Sequence, residues 1–220
     1  MTTTFYAVPV SNYCATVRLL LQLKGVPFVE RQPPDGYGSP AYKATVPTGT
    51  VPALIDDLVV LSESGAIAEY LDERYPTPAL LPPAADLAAR AQARWLQRLH
   101  DSRVEPCLRV LFAHVDPHRR AADVVCAQFH AFEVRLAELE ALARPDPYLV
   151  GARPTLADYA YPATLLLAER MGEVLHRPWS MPADLALWWH RLRGLPPVAA
   201  MLHDYGQAVD RWIASKTGGA

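Results

Sequence analysis

Cysteine is scarce. Cys14, Cys107 and Cys126 are the only ones in 220 residues, an odd number with no Cys-x-x-Cys pair among them. That excludes a disulfide framework as the main source of stability, and a reducing, cytoplasmic location is expected. An excess of one charge is lacking too: 21 Lys and Arg stand against 23 Asp and Glu, for a net charge of -2. Such a chain has no global field to draw nucleic acid or an anionic membrane, and neither partner is expected. The local run His118-Arg119-Arg120 reads as a solvated helix start. No apolar run reaches the roughly 20 residues that span a bilayer. The opening MTTTFYAVPV has neither a basic segment nor a long apolar one, so no secretory leader is expected. The 7 histidines are scattered, without an HExxH or Cys/His cluster, and no metal is expected.

What is present is ordinary globular material, 51% hydrophobic and 20% charged, in a length that suits one large domain or two small ones. TFYAV (4–8) is a short apolar run ended by Pro9 and reads as a buried strand. Ser11 then precedes a helical pattern in which Cys14, Val17, Leu20 and Leu21 share a face, stopped by Gly25 and Pro27. PFVER (27–31) reads as a second strand, and residues 33–50 as a loop with at most a short helix. PALI (52–55), Asp56-Asp57 and LVVL (58–61) read as strand, turn, strand. A helix starts at Ser64 and ends at Tyr75-Pro76. This order predicts a mixed sheet covered by helices.

Prolines 76, 78, 82 and 83 mark a boundary. The predicted division is a first domain over 1–79, a linker over 80–86 and an all-helical domain over 87–220. In the latter, Ala88, Ala91, Trp95 and Leu99 are expected to share one helix face. Val125, Phe129, Phe132, Leu136 and Leu139 recur at helical spacing. TLAD (155–158) has the form of a capping box, with Pro162 set to break its helix soon after. Two short helices are expected over 184–193 and 197–201, and a frayed tail over 216–220.

Three places admit chemistry beside a purely structural role. Val51-Pro52 is either a proline at the start of an edge strand or a cis bond that turns a backbone N–H and C=O outward for an extended peptide. Glu63-Ser64 is either a helix cap or a site for an α-amino acid end group, the helix N-terminus taking the carboxylate and Glu63 the ammonium. Ser11 is either an N-cap or a hydroxyl that stabilises a ligand thiolate at a positive helix end. Cys14, on the apolar face, reads as a small buried hydrophobe.

In this order, these motifs resemble the cytosolic glutathione transferases over nearly the whole chain. The matching stretches are TVPAL at 50–54, SESGAIAEYLDERYP at 62–76 and YLVGARPTLADYAYP at 148–162. The SNYCATVR segment is most similar to the serine-type classes, zeta-like and related bacterial enzymes. The resemblance implies a thioredoxin-like α/β domain followed by an all-α domain, with glutathione as co-substrate. Ser11 would be the activating hydroxyl, Val51 would pair with the cysteinyl part beside a cis Pro52, and Glu63 and Ser64 would hold the γ-glutamyl end. Thr50 stands where many relatives have Lys or Gln for the glycine end, and Lys43 would serve there. Val10, Asn12, Tyr13 and Arg103, with His100 nearby, would line the pocket for the electrophile. Thr155 and Asp158 would have a folding role. The implied activity is attack of the glutathione thiolate on a small electrophile by a homodimer. Glutathione-dependent isomerisation, reductive dehalogenation and glutathione binding without turnover stay open beside it. Zeta enzymes usually carry Ser-Ser-Cys where this chain has Ser11-Asn12-Tyr13, which counts against maleylacetoacetate isomerisation.

Overall fold

The computed structural model describes residues 3–218 and divides into two compact units, Met1–Leu80 and Leu81–Ala220. In the first, β1 (Thr3–Tyr6) leads through α1 (Asn12–Leu23) to β2 (Phe28–Arg31), and the two strands pair in parallel from Thr3↔Phe28 to Tyr6↔Arg31. After a short α2 (Pro40–Lys43), β3 (Ala53–Ile55) pairs antiparallel with β1 and with β4 (Val60–Ser62). The 4-stranded sheet has the order β2-β1-β3-β4, and α3 (Ser64–Arg74) follows. This is the expected mixed sheet, with its last strand two residues later than the apolar run predicted.

The strand directions decide where the site can be. Tyr6 closes β1 opposite Ala53, which opens β3, and Ala53 lies opposite Ser62, which closes β4. The segments that carry Ser11, Val51-Pro52 and Glu63-Ser64 therefore all leave the sheet at one end. Along α1, Cys14, Val17, Leu20 and Leu21 are buried as the spacing predicts.

The first unit is clamped by a lysine that the sequence reading overlooked. The Lys24 side chain is 0% exposed. Its Nζ donates to Asp72 Oδ1 at 2.8 Å, to the Tyr75 carbonyl at 2.6 Å and to the Pro78 carbonyl at 2.5 Å. All three ammonium protons are thus used, which is what makes burial of the charge tolerable. Removing one partner of a buried pair costs about 3–5 kcal/mol. Asp72 also accepts the Leu80 N–H at 2.7 Å, so it keeps a donor when the lysine is gone. Lys24→Met is accordingly expected at the low end, about 3 kcal/mol, read as a lower urea midpoint at unchanged slope. A loss below about 1 kcal/mol, the scale of an exposed pair, would contradict the clamp.

In the second unit, α4 (Leu87–Leu99) starts at Asp86, whose Oδ1 accepts the Ala89 N–H at 3.0 Å. Of the four residues read as sharing a face, only Leu99 is on its inward side. Ala93, Leu96, Gln97 and Leu99 are buried, while Ala88 and Ala91 are exposed and Trp95 is 51% exposed. A π-helical turn over His100–Val104 then leads to α5 (Glu105–Arg109) and a 3₁₀ segment, Val110–His114. α6 (Ala122–Ala143) buries Val125, Phe129, Phe132, Leu136 and Leu139 as expected. α7 (Leu156–Ala160) is closed by the Thr155–Asp158 capping box, and Pro162 starts a new helix, α8 (Pro162–Val174). α9 (Ala183–Arg193) matches its prediction, whereas α10 runs from Pro196 to Thr217. Val198, Met201, Tyr205 and Val209 are buried along α10, so the 197–201 prediction was cut short by the polar residues between them. Lys216 and Thr217 are helical rather than frayed, and 219–220 lie outside the described residues.

Candidate functional site

At the shared end of the sheet, Ser11 caps α1. Its Oγ accepts the Cys14 N–H at 3.2 Å and the same hydroxyl hydrogen-bonds the Cys14 side chain, so a ligand thiolate would compete with that sulfur for the hydroxyl proton. Cys14 itself is fully buried, and that burial pushes its thiol up from the ordinary value. A buried, protonated thiol is a poor nucleophile, so the chain offers a hydroxyl donor here in place of a working sulfur.

Beside it, the Val51–Pro52 bond is cis, as one of the two sequence readings had it. The Val51 N–H makes no hydrogen bond among the described residues. Just before it, the Thr50 carbonyl accepts the Tyr42 hydroxyl at 2.9 Å, and Thr50 Oγ1 meets Thr48 Oγ1 at 3.1 Å. Lys43 belongs to the same corner: a Cβ on Gly49 would lie 2.8 Å from Lys43 Cε, so the lysine stem runs over this glycine.

The third element is the start of α3. Glu63 precedes it with φ 74° and ψ 114°. For a residue other than glycine this costs about 1–3 kcal/mol, held by the structure around it. Its side chain makes no cap, and neither the Glu63 carboxylate nor the Ser64 hydroxyl has a hydrogen-bond partner among the described residues. Ser64 is only 8% exposed. An exposed carboxylate, a mostly buried hydroxyl and the open N–H groups of a helix start are therefore grouped with no occupant from the chain itself, an arrangement that suits an ammonium beside a carboxylate.

The residues read as the electrophile side are placed less uniformly. Val10 and Tyr13 flank Ser11 and are half-buried. Asn12 is 2% exposed, with Oδ1 accepting the Tyr13 N–H at 2.9 Å. Arg103 lies in the second unit with Nη2 3.4 Å from Glu138. His100 is buried, its ring nitrogens 2.8 Å from Asp101 Oδ1 and Thr164 Oγ1 and its ring edge-on to Tyr161. That histidine belongs to the helical core. The sequence reading passed over Tyr42, in a segment it took as a loop with at most a short helix; the tyrosine three residues after Ser39, itself followed by Pro40 as at a helix start, was the available signal. No group of His, Cys, Asp and Glu among the described residues is arranged to hold a metal ion, and no described helix is long and apolar enough to cross a membrane.

Residues 5–79 match the family model described as the glutathione S-transferase N-terminal domain. Maleylacetoacetate isomerase of Pseudomonas aeruginosa is 32% identical over 200 residues, covering 87% of this chain and 88% of that protein. FtsZ-localized protein A of Caulobacter vibrioides is 28% identical, covering 95% and 92%. Among solved structures, the theta class glutathione S-transferase of Xanthomonas axonopodis pv. citri with glutathione bound superposes with a TM-score of 0.78 at 27% identity, covering 91% of this chain and 97% of that one. With the family model on the first unit, a relative above 30% identity along most of the chain and the sheet order described, the chain belongs to the cytosolic glutathione S-transferase family and is of zeta-like type.

Proposed function

We propose that the protein is a glutathione transferase that binds glutathione across the shared sheet end of its first unit and ionises the thiol beside Ser11. The observation that carries this is the grouping, at one end of the sheet, of the Ser11 hydroxyl with two places left without partners among the described residues, the Val51 N–H and the Glu63-Ser64 corner. In this reading the γ-glutamyl carboxylate takes Ser64 and the α3 N–H groups, and its ammonium takes Glu63. The cysteinyl part pairs with Val51 beside Pro52, and the glycine end lies toward Thr50 and Lys43. The thiolate then attacks a small electrophile flanked by Val10 and Tyr13. Asn12, buried against its own loop, supports that loop. Exposed Leu58 in the turn before β4, Val60 on that edge strand and Trp95 on α4 supply apolar surface for a homodimer. The free cysteines fit the cytoplasm.

The relative named an isomerase, from P. aeruginosa, favours another outcome for the same thiolate, addition followed by expulsion; glutathione binding without turnover is the third reading. Thiolate absorbance on adding glutathione separates the last of these, since a carrier has no need to ionise the thiol. A thiolate band at neutral pH supports the transferase reading, and binding without one removes it.

The γ-glutamyl assignment has its own test. Ser64→Ala is expected to weaken glutathione binding about 10-fold, the value of one hydrogen bond to a charged group in a mostly buried position. Glu63→Ala acts from an exposed position and is expected to cost less, about 3- to 5-fold. Calorimetric affinities unchanged in both variants would remove these residues from the site.

A further inference from the structure

Tyr42 is fully buried, yet it keeps a polar end. Its ring meets Tyr6 edge-on at 5.2 Å and packs in a cluster with Val46, Ala53 and Val51. Burial pushes its phenol well above the ordinary value, so at neutral pH it is a hydroxyl and a donor. That hydroxyl donates to the Thr50 carbonyl at 2.9 Å.

The consequence lies one atom pair further on. The Thr50 carbonyl and the Val51 N–H belong to one planar peptide unit, and in a trans peptide they point in opposite directions. The Thr50–Val51 bond is not among the cis bonds of the chain. Holding the carbonyl on Tyr42 therefore turns the Val51 N–H away from the Tyr42 cluster, where it has no partner among the described residues. The preceding peptide is held by its own bonds, the Gly49 carbonyl accepting the Gly38 N–H at 2.7 Å and the Gly49 N–H donating to the Val46 carbonyl at 2.8 Å. On the Thr50–Val51 peptide the Tyr42 hydroxyl is the one hydrogen bond among the described residues, and Tyr42 is therefore its tether.

We infer that Tyr42 is a positioning residue for glutathione, its hydroxyl fixing the Thr50–Val51 peptide so that the Val51 N–H is aimed at the carbonyl of the cysteinyl part. This rests on the glutathione-binding reading above. Tyr42 touches neither the ligand nor the reacting sulfur in this role. It sets how well glutathione is held and leaves thiol ionisation to Ser11.

The test uses the full chain and glutathione itself. Tyr42→Phe keeps the ring and the packing and removes only the tether. The expected result is a Kd for glutathione raised about 5- to 10-fold, with the pH midpoint of the bound thiolate absorbance unchanged. Val46→Ala loosens the same cluster but keeps the hydroxyl, so it is expected to lower the melting temperature with a Kd within about 2-fold of wild type. In the wild type, adding glutathione is expected to slow hydrogen exchange of the Val51 amide. An unchanged Kd for Tyr42→Phe, an equal rise for Val46→Ala, or no protection at Val51 overturns the inference while leaving glutathione binding intact. A wild-type protein that fails to bind glutathione overturns the inference and the functional reading together.

Discussion

Asp158→Ala is expected to leave little folded protein at 37 °C. An ordinary helix cap is worth about 0.5–2 kcal/mol, and the sequence pattern TLAD licenses no more than that. The structure makes Asp158 a hub. Its Oδ1 accepts the Leu149 N–H at 2.9 Å and the Trp188 indole N–H at 2.9 Å. Its Oδ2 accepts the Thr155 N–H at 2.7 Å and the Thr155 hydroxyl at 3.0 Å. The carboxylate thus ties the residues before α7, the cap of α7 and the side of α9 to a single point with no solvent access. Each of these four buried donors left without an acceptor costs about 1–3 kcal/mol, so a loss of at least about 4 kcal/mol is expected. That is a large part of the 5–15 kcal/mol available to a typical domain. Asp158→Asn separates the two halves of the hub. An amide oxygen in the Oδ1 place still serves Leu149 and Trp188, while the amide nitrogen meets the Thr155 donors, so roughly half the loss is expected. The measurement is chemical denaturation followed by Trp fluorescence. A loss inside the ordinary cap range for Asp158→Ala would show that Trp188 and Leu149 find other acceptors.

The same residue marks what the sequence could and could not tell. The cap itself was legible because it is local: a threonine, an acid three residues on and an apolar run. Leu149 and Trp188 were not, because they meet Asp158 from 9 and 30 residues away. Lys24 and Asp72 are 48 residues apart, and nothing near either marks it as buried. The inward face of α4 was not legible for another reason. Ala88 and Ala91 are small enough to suit either side of a helix, so the 3.6-residue period fitted two faces and Trp95 drew the choice to the wrong one. In α6 the large residues Phe129, Phe132 and Leu136 leave only one face possible, and there the period sufficed.

The candidate site was more legible than the core because its parts are backbone features with short signals: a serine before a helix, a Val-Pro pair, a Glu-Ser pair before another helix. Their convergence was not legible from spacing. It follows from β1 and β4 running one way and β3 the other, which only the strand register establishes. Tyr42 stayed hidden because a buried tyrosine with a backbone acceptor looks like any aromatic in a loop.

Ser11→Ala is expected to cut turnover at pH 7 by about 10- to 100-fold, with the deficit closing as the pH rises. Capping and thiol activation, rivals in the sequence, are compatible in the structure. Ser11 Oγ accepts the Cys14 N–H at 3.2 Å, and a hydroxyl that accepts one hydrogen bond becomes a better donor for the next. A free thiol has a pKa near 8.5, and a drop of two units needs about 2.7 kcal/mol of preference for the anion. A hydrogen bond from a hydroxyl to a charge gives about 1.5–3 kcal/mol, and the start of α1 adds about 0.3–1 kcal/mol. Removing the hydroxyl leaves only the helix end, so the bound thiol's pKa rises by about 1–2 units. The thiolate fraction at pH 7 falls in proportion, and by about pH 9 glutathione ionises unaided and the variants converge. The lost cap lowers stability by about 0.5–2 kcal/mol in addition, which thermal melting reports separately. Cys14→Ser is the counterpart. Cys14 is fully buried with its thiol held protonated by that burial, so the change is expected to lower stability, through a hydroxyl placed in an apolar site, and to leave the pH–rate profile in place. Profiles of both variants with one reactive electrophile decide the matter: loss of turnover in Cys14→Ser with a wild-type profile in Ser11→Ala would make Cys14, and not the thiol of glutathione, the working sulfur.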